Sequence, residues 1–142
     1  MRFFLCNDVQ LNAPNTENLD VTTYHVWLKK RLEKLELIFE KTIQQRIGCV
    51  VLTGYLFGKD AAPETMVDRF FEIVKDNAQL QVLVYAGSDE YLRLSYRKDL
   101  PENLHLFSIG KKGLFEFKDC VFSNDDNVFI KYAKLFLDSI IW

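Results

Sequence analysis

Four short apolar runs, each closed by glycine or polar residues, restrict the fold of this chain more than any other feature. They cover residues 2–7, 49–54, 80–85 and 104–109. Runs this short and this apolar read as strands buried on both faces, as in parallel sheets. Parallel neighbours need a crossover of roughly a dozen residues or more, usually a helix. The stretches between the first three runs are long enough to supply one.

The first stretch, residues 22–47, sets Leu28, Leu32, Leu35, Phe39 and Ile43 on one stripe at spacings of three and four. Lys29, Lys30, Glu33, Lys34 and Glu36 fall mostly off it. This is an amphipathic helix with a solvated charged face, and Gly48 is expected to end it. Pro63 suits the start of a second helix, whose first turn needs no N–H from it. Met66, Val67, Phe70, Phe71 and Val74 form its apolar face. A short helix or turn is expected over residues 89–97, and a loop over the Asn- and Pro-bearing residues 11–20. Residues 111–123 read as two short strands joined by a Lys-Asp turn, and residues 127–142 as a closing helix. The alternation predicts an α/β fold with a mainly parallel sheet flanked by helices. Residues 1–142 are expected to form a single domain.

Composition narrows the function. The chain is 49% hydrophobic with 12 Phe, which supports a packed core and excludes intrinsic disorder. A net charge of -2 argues against an electrostatic nucleic-acid binder, although Lys29, Lys30, Arg31 and Lys34 could form a local basic patch. Cys6, Cys49 and Cys120 each sit in an apolar run with no paired spacing, which suits a reducing compartment. The opening MRFFLCNDVQ lacks the length of a signal-peptide core, and no run approaches a membrane span. A cytoplasmic protein with no membrane partner is expected.

In parallel sheets, ligands bind at the carboxyl ends of strands. Residues 7–10, 54–60 and 87–90 therefore matter most. There the opening MRFFLCNDVQLN, the segment VVLTGYLFGKDAAPETMVDRFFEIV and the segment VLVYAGSDEYLRLSY follow one another in a telling order. With DLPENLHLF after them, they resemble the calcineurin-like metallophosphoesterases, in particular the DNA-repair exonuclease branch. The likeness runs from Met1 to about Phe107. It implies the N-terminal half of an αββα sandwich, and a two-metal centre at the strand ends. Such a centre holds its cations with a bridging carboxylate plus His and Asn ligands, and activates a water.

Nearly every ligand that the resemblance implies is replaced. Asp8 matches the Asp of the first motif, but Gln10 stands where its His belongs. Tyr55 replaces the bridging Asp, and its ring is expected to fill much of the metals' space. Ser88, Asp89 and Glu90 stand in place of Asn, His and Asp. Asp8, Asp89 and Glu90 could hold one Mg²⁺ or Mn²⁺ weakly; the plainer reading, favoured here, is that they are solvated loop acids. His25 and His105 match no ligand position and read as structural.

The C-terminal half of that family has no counterpart here. The closing residues are apolar almost all round, with Phe129, Tyr132, Phe136, Ile140 and Trp142 among them. They either pack wholly into their own domain or form a subunit interface, most simply in a homodimer. The function expected is a non-catalytic metallophosphoesterase-like domain without cofactor, acting as a binding or assembly module. The alternative is a divergent single-metal phosphodiesterase.

Overall fold

The structure is a computed structural model that describes residues 2–12, 20–58, 62–108, 113–118, 120–123 and 140–141. For Ser88, Cys120, Val121, Ile140 and Ile141 the description is of the backbone alone. Four strands, β1 (Phe4–Asn7), β2 (Cys49–Thr53), β3 (Gln81–Ala86) and β4 (Leu104–Ser108), pair in parallel in sequence order. Between them lie α1 (Val21–Gln44), α2 (Glu64–Asp76) and α3 (Ser88–Ser95). A hairpin of β5 (Leu114–Phe117) and β6 (Cys120–Ser123) follows, antiparallel and separate from the main sheet. This is the α/β architecture expected, with the hairpin where two short strands were read.

Each strand is added on the same side of the last, so right-handed crossovers place all three helices over one face. The side-chain period of two then divides the strands between two cores. Phe4, Cys6, Val50, Leu52, Val82, Val84, Leu104 and Leu106 face the helices. Phe3, Leu5, Cys49, Val51, Leu83, Tyr85 and Phe107 face the hairpin. Both faces are covered, which is why the strand sequences show apolar runs and not alternation.

The helices meet their core as their spacing predicts. In α2, Met66, Val67, Phe70, Phe71, Ile73 and Val74 are all buried. In α1 the buried residues are Leu35, Phe39 and Thr42, with Leu28, Leu32 and Ile43 packed partly against the same core. Asp20 caps α1 by accepting the Thr23 N–H at 2.7 Å. The helix ends before Gly48, contrary to expectation. Arg46 takes the left-handed turn itself at φ 57°. Its N–H reaches the Ile43 carbonyl (2.9 Å) and that of Ile47 reaches Thr42 (3.0 Å). This double closure satisfies carbonyls that the helix end would leave open, which offsets a non-glycine residue in that conformation.

On the hairpin face, aromatic rings make the contact. Phe115 stacks on His105 at 3.7 Å between centroids, Tyr85 stacks on Phe107 at 4.6 Å, and Phe122 meets Phe3 edge-on at 5.5 Å. The His105 ring also shares a hydrogen bond with Gln81 at 2.7 Å. Burial pushes its pKa below the ordinary value.

The closing helix expected through Trp142 is corrected at its end. Residues Ile140–Ile141 form a short strand, β7, parallel to β1, with Ile140 opposite Phe4 and Ile141 opposite Leu5. The β1 edge would otherwise leave a row of peptide groups unpaired, and a β-branched Ile pair suits a strand better than a helix end. The sheet order is thus β4-β3-β2-β1-β7. Residues 127–139 lie outside the described residues. Among the described residues no helix is long and apolar enough to cross a membrane.

Candidate functional site

The carboxyl ends of β1, β2 and β3 lie together, as the parallel order requires. The loop after β1 does not leave the sheet at once. Its N–H groups continue the ladder along the loop after β2: Asp8 to the Thr53 carbonyl (2.9 Å), Gln10 to Tyr55 (3.0 Å), Leu11 to Leu56 (2.8 Å) and Asn12 to Phe57 (2.8 Å). Asp8 and Gln10 reach this path through left-handed backbone at φ 52° and 46°. Such conformations are uncommon outside glycine, and they persist where surrounding bonds fix them.

The zippered loops carry apolar side chains down into the core. Leu11, Leu56 and Phe57 are 0%, 2% and 2% exposed and join the helix-face cluster. Phe57 meets Phe70 edge-on at 5.9 Å. Sequence reading placed Leu11 in a loop and missed this plug. The signal available was an apolar residue at each of these loop positions.

Two carboxylates complete the lock. Asp8 Oδ1 accepts the Tyr55 N–H at 3.0 Å, and its Oδ2 accepts the Asn7 amide at 3.2 Å. Thr53 Oγ1 in turn donates to Asn7 Oδ1 at 2.9 Å. Glu90, in the first turn of α3, takes both following N–H groups, Leu56 at 3.2 Å and Phe57 at 3.0 Å. Three consecutive amides of the β2–α2 loop are thereby held by two carboxylates. Gly54 makes the approach possible. Its φ is +74°, and a Cβ there would come within 2.2 Å of Asp8 Oδ1.

The other residues singled out from sequence fall as follows. Tyr55 is 45% exposed, so its side chain lies largely at the surface, while Leu56 and Phe57 beside it turn into the core. Gln10 contributes its backbone N–H. Asp89 is exposed in the first turn of α3, and Ser88 begins that helix. His25 lines a groove between α1 and α2, away from the strand ends. Phe129, Tyr132, Phe136 and Trp142 lie outside the described residues, and Ile140 is placed by its backbone in β7.

These residues do not fit a metal centre of the kind the resemblance implies. A phenol, Tyr55, stands where that resemblance would put a bridging carboxylate, and both Asp8 and Glu90 already accept amide protons. Among the described residues, no three His, Cys, Asp or Glu side chains are grouped to hold a cation. Chemically, the strand ends are suited to fixing the loops.

An open groove of about 440 Å³ lies beside them, between α1 and β1. It is lined by Arg31, Lys34, Leu35 and Ile38 of the helix and by residues from Phe4 to Val9. Burial raises the pKa of the Cys6 thiol on its wall, with the charge of Lys34 opposing the shift. This is an unreactive setting for a cysteine.

No protein-family model, curated protein or solved structure matches this chain.

Proposed function

We propose that this chain is a metallophosphoesterase-like domain without a metal centre, and that it serves as a non-catalytic binding or assembly module. The observation that carries the reading is the use made of Asp8 and Glu90. Their oxygens hold the N–H groups of Tyr55, Leu56 and Phe57. A cation at these carboxylates would have to displace charge-assisted hydrogen bonds, each worth about 1.5–3 kcal/mol. It would then leave part-buried loop amides without acceptors. A fold can outlast its chemistry, and function then resides in other surfaces.

Calorimetric titration of Mn²⁺ into the metal-stripped protein tests this. The expected result is no saturable heat up to millimolar metal. Tight binding abolished by Asp8→Ala would overturn the proposal and direct attention to phosphodiester hydrolysis.

A further inference from the structure

We propose that β4 is the strand through which two copies of this chain join, pairing antiparallel about a two-fold axis beside Leu106 and running both sheets into one. The inference rests on the assembly reading above and names its partner, a second copy, and the surface that holds it.

The two edges of the sheet differ. Beside β1 the sheet is extended by β7. At the other end, β4 pairs only with β3 among the described residues. The ladder shows which way the peptide groups of β4 turn. Leu104 lies opposite Val82, and the Val82 N–H meets the Asn103 carbonyl at 2.9 Å. Successive residues of a strand turn their peptide groups to opposite sides, so His105 directs its N–H and C=O toward β3 and Leu106 directs both outward. The Leu104 N–H also points outward, and the Pro101 carbonyl accepts it at 3.1 Å. The Leu106 N–H and C=O have no hydrogen-bond partner among the described residues.

Space lies along the same edge. An open groove of about 320 Å³ is lined by residues 104–107 and by Leu100 and Leu114. Leu100 and Leu114 are 36% and 56% exposed. Sheet proteins blunt a free edge with a lysine, a proline or a bulge. The β4 sequence, LHLFS, holds no charged side chain and no proline, and its register runs without a bulge.

A second copy fits this edge better than an unrelated strand. Leu106 is the middle of the five residues of β4, so an axis beside it overlaps both strands in full. A residue that offers a donor and an acceptor on one side can exchange both bonds with its own counterpart, which is what an isologous contact requires. His105 of one copy then lies opposite Phe107 of the other, at the closer spacing of a pair without hydrogen bonds. A net charge of -2 on each chain opposes the approach only weakly. One strand pair is a small interface, so the association should be reversible and dependent on concentration.

The test is sedimentation velocity on the full chain between about 20 µM and about 500 µM, with amide hydrogen exchange read by NMR over the same range. A monomer–dimer equilibrium is expected. The Leu106 amide should exchange at least about tenfold faster at the low end than at the high end. A sample mixed from labelled and unlabelled chains should show an intermolecular contact between the Hα atoms of His105 and Phe107. The double variant Leu100→Asp/Leu114→Asp should weaken the dimer at least about tenfold; both side chains are exposed, and circular dichroism checks that the fold is kept. A chain that stays monomeric at about 500 µM overturns the proposal. So does an affinity unchanged in the double variant. A dimer that lacks the His105–Phe107 contact and leaves Leu106 exchange independent of concentration joins through another surface, and also overturns it. Failure of the metal-free reading would appear in the Mn²⁺ titration and leave these results unchanged.

Discussion

Two charged regions lie side by side at the carboxyl end of β1, and they differ in how their charges are used. At the strand ends, Asp8 and Glu90 accept three consecutive loop N–H groups. In the adjoining groove, Arg31 and Lys34 make no ion pair among the described residues. The first arrangement spends its hydrogen-bonding capacity on the fold. In the second, Arg31 lies over the Trp27 ring at 4.7 Å and its hydrogen bonds are not part of the loop lock. The difference teaches that acidic residues at strand ends mark a functional centre only while they remain free to bind something other than their own backbone.

If that contrast holds, substitutions in the two regions should separate cleanly. Gly54→Ala should cost most. It forces an alanine into φ +74° and drives its Cβ against Asp8 Oδ1. The left-handed penalty of about 1–2 kcal/mol adds to a lost charged hydrogen bond, for a total of about 3–4 kcal/mol by urea denaturation. Glu90→Ala comes next. It strips acceptors from the Leu56 and Phe57 amides and should cost about 2–3 kcal/mol. Glu90→Gln keeps one strong acceptor and should lose less. Equal losses for the two Glu90 variants would show that the carboxylate does not clamp both amides.

A smaller effect is expected from pH at a surface network away from both regions. Arg97 donates to both oxygens of Asp99, at 2.8 and 2.7 Å, and holds its carboxyl down at about 2. A depressed carboxyl contributes fully above its unfolded value of about 3.9, and the contribution is lost as pH falls through the folded value. Stability should therefore fall from about pH 4 toward about pH 2, and less steeply in Arg97→Met. Identical slopes would remove Asp99 from the account. Least affected of all should be the groove pair. Arg31→Ala/Lys34→Ala should change stability by no more than about 0.5 kcal/mol, because neither side chain makes an ion pair among the described residues. A loss as large as that of Glu90→Ala would erase the contrast between the two regions.

Most of the fold was readable in the sequence because its signals are local. The apolar stripe of α2 and the four apolar runs depend on period alone, and both proved to be core. The hairpin was readable from its Lys-Asp turn, with Lys118 at φ 55°. What escaped was set by tertiary partners. Arg46 ends α1 in place of Gly48 because backbone bonds to Thr42 and Ile43 hold it there. Ile140 and Ile141 form a strand because β1 offers an edge, which the residues themselves do not announce. At the strand ends the sequence singled out Asp8 and Glu90, but not their hydrogen bonds to the loop backbone. Nothing in the letters Asp8 and Glu90 shows that their oxygens meet the amides of residues 55–57. That follows only from the zippering of two loops some forty residues apart.

The most direct test is an amide NMR spectrum recorded with stepwise additions of Mn²⁺, whose unpaired electrons broaden the signals of nearby nuclei. If the carboxylates serve the loop, the Asp8, Tyr55, Leu56, Phe57 and Glu90 amides should lose intensity no faster than those of other exposed segments. Selective loss of these five signals at low Mn²⁺, absent in Asp8→Ala, would mean that a metal displaces the loop contacts, and the account would be wrong at its centre.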